Sequence, residues 1–214
     1  MSDVIDFIKQ DKQFYFPKTE PEITHIPKMN FIMVDGRGAP DPHSGSESDV
    51  SEFQRAVGAL YGIAYSVKMS YKKGDEPKGY QNFKVAPLEG LWWMEDDTNF
   101  DMKRPKDWRW TVMIRMPDFV TSDIVARYAK ELNDKKKTDA YSTVRLEQYE
   151  EGDVVQLMHI GSYDSEGQNI IKMHEYAKDR GYALRGKHHE LYYGDPRRTA
   201  PERLKTVLRQ PIKK

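Results

Sequence analysis

The architecture of this chain can be worked out from ten residues near its C-terminal end, Lys187-His188-His189-Glu190-Leu191-Tyr192-Tyr193-Gly194-Asp195-Pro196. Aromatic and aliphatic residues alternate along this stretch and turn-forming residues close it, which is typical of a β-strand. Side chains two residues apart share a face of a strand, so His188, Glu190 and Tyr192 point the same way. Glutamate is uncommon in strands and is rarely buried without a partner. Glu190 is therefore a candidate site residue; the alternative is a solvated acid on an edge strand.

An earlier part of the chain repeats this pattern. Leu91-Trp92-Trp93 matches Leu191-Tyr192-Tyr193, and Thr111-Val112 matches Thr206-Val207. Repetition of a strand-loop-strand unit indicates a duplicated module with a pseudo-twofold axis. Gly90 then occupies the place of Glu190, so one half offers space where the other offers charge. This asymmetry predicts a ligand cavity between the two halves.

The predicted fold class is α+β, with antiparallel sheets built from duplicated strand-helix-strand-strand modules. The modules span about 30–117 and 142–212. We expect these two segments to superpose, with Glu190 lying over Gly90. A helix over about 120–138 joins them into a single domain of residues 29–212, and residues 1–28 form an N-terminal extension that three prolines keep from any long regular element.

The amino-acid composition argues against several classes of function. The chain has 34 basic and 34 acidic residues, so its formal net charge of zero argues against direct nucleic-acid binding and against a polybasic membrane surface. No apolar run is long enough to span a membrane, and the start lacks a secretory pattern, so we expect a cytoplasmic protein. There are no cysteines for disulfides or thiolate chemistry. We expect no cofactor, and a homodimer stays open.

A helix is predicted from about Ser51 to Tyr71, where Ser51 and Gln54 have capping-box spacing. Its core stripe recurs at helical spacing through Phe53, Val57, Leu60, Ala64 and Val67. A neighbouring stripe carries Tyr61, Tyr65 and Met69. This second stripe either broadens the core face or forms one wall of the pocket.

The six histidines do not have the spacing of a metal site. His188 and His189 are adjacent and face opposite ways on a strand. His174 lies on an apolar helix face and is interpreted as a hydrogen-bonded core residue, whereas His159 ends a strand and could reach the pocket. The acidic loop containing Asp96, Asp97 and Asp101 lacks the glycine and terminal glutamate of a calcium loop, so we expect a solvated loop.

A second helix is predicted over about 165–180, with capping-box spacing between Ser165 and Gln168. Glu166 falls in its first turn, where the helix dipole and capping account for an acid; a role in the pocket is the alternative. Arg197 and Arg198 follow the Glu190 strand. They are expected to support its closing turn, although a grip on an anion is also consistent with them.

Several motifs together resemble the GyrI-like (gyrase-inhibitory-protein-like) small-molecule-binding superfamily over about residues 28–212. These motifs are Leu88-Glu89-Gly90-Leu91-Trp92-Trp93, Tyr149-Glu150-Glu151-Gly152, His159-Ile160-Gly161, and Gly186-Lys187-His188-His189-Glu190 running on through Asp195-Pro196-Arg197-Arg198-Thr199-Ala200-Pro201-Glu202. They look like the stand-alone branch implicated in hydrolysis of cyclopropane-containing, DNA-alkylating natural products. The late-strand glutamate of that family matches Glu190.

The resemblance implies a small-molecule-binding hydrolase that opens electrophilic cyclopropane rings with carboxylate-activated water, a detoxification. Two alternatives remain: a non-catalytic protein that sequesters or senses flat aromatic or cationic ligands, and a module that interacts with gyrase. The candidate catalytic residues are Glu190, Tyr192 and Glu166. The candidate ligand-binding residues, for a small aromatic or polycyclic partner, are Tyr65, Met69, Trp92, Trp93, Trp110, Met113, His159 and Tyr163.

Overall fold

Helices and antiparallel strands make up the chain, which confirms the predicted mixed class. The computed structural model describes residues 4–40, 51–94, 104–195 and 198–214. The acidic loop from Asp96 to Asp101 and the side chain of Arg197 lie outside these ranges. The chain divides into two units, one of Met1–Asp6, Asn30–Ala86 and Trp92–Gln148, the other of Phe7–Met29, Pro87–Leu91 and Tyr149–Lys214.

The first unit is built from two long helices and a sheet. Its elements are β2 (Met29–Arg37), α3 (Glu52–Met69), the last three residues of β3 (Leu88–Met94), β4 (Trp108–Arg115), α4 (Ser122–Lys136) and β5 (Arg145–Tyr149). The strands follow the order β3-β4-β2-β5. Val34 lies opposite Val112 and Met33 opposite Met113, in an antiparallel pairing.

Helix α3 begins where the sequence predicts it. Ser51 Oγ accepts from the Gln54 amide and Gln54 Oε1 accepts from the Ser51 amide, both at 3.2 Å, which completes the capping box. The predicted stripe is buried at Leu60, Ala64 and Val67, because these positions recur on the helix face that packs on the sheet.

The second unit is a sheet covered by one long helix. Its elements are α1 (Phe7–Gln10), α2 (Lys12–Tyr15), β1 (Glu22–Ile26), the first four residues of β3, β6 (Gly152–Ile160), α5 (Gly167–Asp179), β7 (Ala183–Leu184), β8 (His188–Tyr193) and β9 (Lys205–Lys213). The strands follow the order β1-β6-β9-β8-β3, and β7 also pairs with β9. Met173 and Ala177 of α5 pack with Val155, Leu157 and Leu208 in the core of this unit.

Two features of the second unit differ from the sequence-based expectation. The N-terminal extension contributes β1, which pairs with β6 between Pro21 and Pro27. Prolines are tolerated there because β1 is an edge strand and they stand outside its ladder. Helix α5 begins without a side-chain cap. Ser165 Oγ donates instead to Ser162 O at 2.7 Å, so the predicted capping box with Gln168 does not form.

The order predicted for each module is present in each unit. In the first unit it is β2, α3, β3, β4, and in the second it is β6, α5, β8, β9. Strand adjacency is also the same, since the last strand of each set lies between the other two. Superposition of the two modules, with Glu190 over Gly90, stays a prediction.

Candidate functional site

One face of β8 carries the three residues predicted to act together. Glu190 lies opposite Leu208 and Tyr192 opposite Thr206 on β9. Leu208 packs with Met173 of α5. Because side chains alternate along a strand, His188, Glu190 and Tyr192 therefore lie on the face that α5 covers.

Glu190 has a donor group beside each of its carboxylate oxygens. The Tyr192 hydroxyl donates to Oε2 at 2.8 Å. His188 Nε2 lies 3.2 Å from Oε1, within ion-pair distance but not aligned as a hydrogen bond. The side chain of Glu190 is 16% exposed, so solvent reaches part of it.

Glu166 is the second carboxyl group of this face. It precedes α5 directly, it is 6% exposed, and its Oε1 has no hydrogen-bond partner among the described residues. Burial, followed by the nearby charge of Glu190, raises the pKa of Glu166 to about 8, although Thr206 opposes the rise. The dipole of a helix N-terminus would act the other way, and burial outweighs it. Glu166 is therefore mostly protonated at neutral pH.

An aromatic rim adjoins the two carboxyl groups. The rings of Tyr163 and Tyr192 meet edge to face with their centroids 5.9 Å apart, and Tyr163 is 38% exposed. Burial of its hydroxyl end, together with the charges of Glu166, Glu190 and Asp195, raises the pKa of Tyr163 to about 12. Tyr163 is therefore a neutral donor with an exposed ring against which a flat ligand can pack.

His159 supports the turn that precedes α5. It is buried, its Nδ1 accepts from Asn169 Nδ2 at 2.8 Å, and its Nε2 lies 3.1 Å from Ser162 O and 3.2 Å from Ser165 Oγ. Both ring nitrogens are therefore in use. No free ring nitrogen of His159 therefore remains for the predicted contact with a ligand. The same contacts hold the 162–165 turn that carries Tyr163.

The other predicted ligand-binding residues belong to the first unit. Tyr65 is half exposed, Met69 and Trp93 are half-buried, and Trp92 is buried, stacking on Phe53 of α3 with centroids 5.8 Å apart. Trp92 therefore faces α3, and Trp93 lies on the other face of β3.

Trp110 and Met113 do not line one surface. Trp110 is fully buried, contacts Phe53 edge to face at 5.3 Å, and donates through Nε1 to Gly38 O at 3.0 Å. Met113 is three residues further along the strand and faces the other way, opposite Met33. Both are buried core residues of the first unit, on opposite faces of β4, and their role in ligand binding stays a prediction.

The opposite face of β8 holds a buried charge network that the sequence-based reasoning missed. His189 Nδ1 lies 3.0 Å from Glu151 Oε2 and its Nε2 lies 3.1 Å from Glu89 Oε2, while Arg209 Nη1 lies 3.2 Å from Glu151 Oε2. Burial disfavours charge on His189, but Glu151 and Glu89 outweigh it and raise its pKa. Burial likewise opposes ionisation of Glu151, yet His189 and Arg209 hold its pKa below the ordinary value. The network therefore pairs two acidic side chains, Glu89 and Glu151, with two basic ones, His189 and Arg209.

The N-terminal segment closes this network. The Tyr15 hydroxyl donates to Glu89 Oε1 at 3.2 Å, Arg209 Nη2 donates to Phe14 O at 2.7 Å, and Gln156 Nε2 donates to Gln13 O at 2.8 Å. The only local signal in the sequence is strand alternation, which turns His189 away from Glu190. Its partners are far away in the chain.

Neither a metal site nor a membrane span is found in the described parts of the chain. No group of three histidine, cysteine, aspartate or glutamate residues there could hold a metal ion. No helix there is long and apolar enough to cross a bilayer. Arg198 is 86% exposed and its Nε lies 3.9 Å from Asp195 Oδ2, which fits support of the turn after β8.

The chain resembles three solved structures from Listeria innocua over almost its whole length. One, an uncharacterised conserved protein, is 42% identical with a TM-score of 0.89, covering 98% of this chain and all of that one. Two described as hydrolases are 43% and 39% identical, with TM-scores of 0.86 and 0.85, covering 99% and 98% of this chain and all of theirs. The C-terminal domain of EcmrR, 13% identical with a TM-score of 0.56, covers 91% of this chain and 98% of its own and shares the fold alone.

No functionally curated protein matches the chain. The family model of the GyrI-like small molecule binding domain matches residues 19–213. This range includes both units and the two carboxyl groups beside α5. The chain therefore belongs to the family of GyrI-like small-molecule-binding domains.

Proposed function

We propose that this protein is a hydrolase that opens electrophilic cyclopropane rings of flat aromatic compounds, with Glu190 as the general base. The observation that carries the proposal is the difference between two neighbouring carboxyl groups. Glu190 has a donor group beside each oxygen, whereas Glu166 is buried with an unpartnered oxygen and a pKa raised, first by burial, to about 8. Two carboxyl groups in such different environments are suited to divide the roles of base and acid.

The reaction needs both roles. In a cyclopropane conjugated to a cyclohexadienone, a water oxygen attacks a ring carbon while Glu190 takes a proton from that water. The carbon–carbon bond of the ring breaks, and its electron pair moves through the conjugated system to the carbonyl oxygen. Glu166 donates its proton to that oxygen, which becomes a phenol. Transfer of one proton from Glu190 back to Glu166 restores the enzyme, so the net change is addition of one water.

The aromatic rim accounts for positioning. Tyr163 exposes its ring beside Tyr192, and a flat substrate packed there is held close to Glu190. Such positioning turns a bimolecular attack into a nearly unimolecular one, and general base catalysis adds typically about 10²–10⁴-fold. Opening removes the electrophilic carbon through which such compounds alkylate DNA, so the activity would be a detoxification.

The relatives support hydrolysis without supplying a substrate. Two solved structures that are 39% and 43% identical to this chain are described as hydrolases. Non-catalytic capture of flat aromatic or cationic ligands is the second candidate. The exposed ring of Tyr163 beside the carboxylate of Glu190 favours it, because such a surface also attracts cations.

Turnover separates the two candidates. The protein is mixed with a hundredfold excess of a cyclopropane fused to a conjugated cyclohexadienone, in water enriched in ¹⁸O, and the phenol product is followed by absorbance and mass spectrometry. A hydrolase yields many equivalents of product carrying one ¹⁸O atom in its new hydroxyl group. Product limited to one equivalent, or none above the rate without protein, would overturn the hydrolase and leave capture.

A further inference from the structure

Two rows of side chains face each other between α5 and β8. Glu166, Ile170 and His174 recur at intervals of four and therefore lie along one line of α5 and the residue before it. Ile170 packs on the core of the sheet, which turns this line toward the strands. On β8 the facing row is His188, Glu190 and Tyr192.

The two histidines of these rows each have a buried ring nitrogen without a hydrogen bond. His188 Nε2 and His174 Nε2 are buried, and neither has a hydrogen-bond partner among the described residues. His188 Nε2 is directed at Glu190, at 3.2 Å from Oε1. An unpaired polar group in the interior costs free energy, so it calls for an explanation in function or in bound solvent.

His174 is neutral at physiological pH, because burial, followed by the proximity of His188, lowers the pKa of His174 to about 4. His188 lies beside Glu190, with its Nε2 3.2 Å from Glu190 Oε1. Of the two histidines, His188 therefore supplies the polar contact to Glu190.

We propose that His188 is a positioning residue that fixes the orientation of the Glu190 carboxylate; the inference rests on the proposed function. His188 lies at one oxygen of Glu190 and the Tyr192 hydroxyl at the other. Glu166 has no comparable donor at Oε1. The groups that face the pair are Tyr192 and His188 on β8, Thr206 on β9, His174 on α5, Tyr163 and Asp164 before α5, and Asp195 after β8.

The test compares two substitutions at one position. His188→Leu removes the polar ring nitrogens, whereas His188→Gln keeps an N–H donor. Hydrolysis of the cyclopropane-fused cyclohexadienone is measured at neutral pH for each variant. With His188→Leu we expect kcat to fall about 10-fold or more while KM changes by less than about 3-fold, because a misplaced base slows the chemical step rather than substrate binding.

His188→Gln should recover part of kcat, since its N–H group can again contact Glu190. The matched control is His25→Gln, because His25 is well exposed in the same unit, where its side chain contacts Asp153. It should reproduce the wild-type kcat and KM. Thermal unfolding of every variant separates loss of fold from loss of function.

The outcomes are distinguishable. If the wild type hydrolyses the compound and both His188 variants keep its kcat, His188 has no positioning role and only this inference is overturned. A loss of rate that is equal in the two variants and follows a fall in Tm also overturns it. If the wild type does not turn over, the proposed function fails and the inference fails with it.

Discussion

The two faces of β8 carry almost the same chemistry and use it differently. Toward α5 it presents His188, Glu190 and Tyr192; on the other face His189 meets Glu89, Glu151 and Arg209. The back face is closed, since every carboxylate there has a cation or a phenol beside it. The front face is partly open: Glu190 is 16% exposed, Tyr163 is 38% exposed, and the buried Oε1 of Glu166 has no hydrogen-bond partner among the described residues. A buried imidazole or carboxylate is thus no sign of function in itself; a carboxyl oxygen without a partner next to an exposed ring is the better sign.

The largest effect should come from removing the base on the open face. Glu190→Gln keeps size and hydrogen-bonding capacity but cannot accept a proton from water. We expect kcat to fall by about 10²–10⁴-fold, with affinity for the compound within a few-fold and the free energy of unfolding almost unchanged. Steady-state rates and urea unfolding check this. A Gln variant as fast as the wild type would clear Glu190 and move the assignment to Glu166 or to binding alone.

A substitution on the closed face should lower the stability of the protein. Arg209→Met leaves Glu151 buried with one cation fewer, and breaking a buried ion pair costs about 3–5 kcal/mol. The free energy of unfolding, measured in urea, should fall by that amount. Arg198→Met is the control, because Arg198 is 86% exposed and should change stability by less than about 0.5 kcal/mol. Equal effects at the two positions would remove the distinction between the faces.

Local patterns predicted the open face better than the closed one. Alternation along one strand was enough to bring Glu190 and Tyr192 together, because both lie in a single continuous element. The closed network joins Glu89, Glu151, His189 and Arg209, and no spacing within one element links them. Only the pairing of β6, β9 and β8 places Gln156, Arg209 and His189 in one row across the sheet.

The same reasoning explains the errors elsewhere. β1 was missed because it is short and lies between prolines, and its stability comes from pairing with β6. Trp110 and Met113 were both predicted to bind the ligand, although a separation of three puts them on opposite faces of one strand. Glu166 was interpreted mainly as a helix-start acid; its burial depends on the turn before α5, which tertiary contacts with His159 hold.

The ionisation of Glu166 should make the stability of the protein depend on pH, and this effect is smaller than the two above. Burial holds its native pKa at about 8, above the ordinary 4.5. Between these values the folded state binds the proton and the unfolded state does not, so stability falls as pH rises, on the order of 1 kcal/mol per pH unit. Glu166→Gln should abolish that fall, as measured by urea unfolding from pH 5 to pH 8.

The ionisation of Glu166 should also change kcat with pH. Wild-type kcat should decline above about pH 8, where Glu166 loses the proton it donates. Glu166→Gln should be slower at neutral pH and should lack this alkaline limb. Asp164→Asn is the comparison variant: the charge of Asp164 makes the smallest contribution to the raised pKa of Glu166, so the alkaline limb should persist and move only slightly to lower pH. An alkaline limb that persists in the Gln variant would assign it to another group.

The smallest effect is expected from two tyrosines that adjoin in sequence and face opposite ways. Tyr192→Phe removes the donor at 2.8 Å from Glu190 Oε2 and leaves the ring that meets Tyr163. A hydrogen bond to a charged group is worth about 1.5–3 kcal/mol, and water can replace part of it at this partly exposed site, so kcat should fall only about 3–10-fold. Tyr193→Phe removes a donor to Tyr15 O on the closed face. It should cost about 1 kcal/mol of stability and leave kcat unchanged. If Tyr193→Phe slowed turnover as much as Tyr192→Phe, the closed face would take part in catalysis, and the separation of roles across β8 would be wrong.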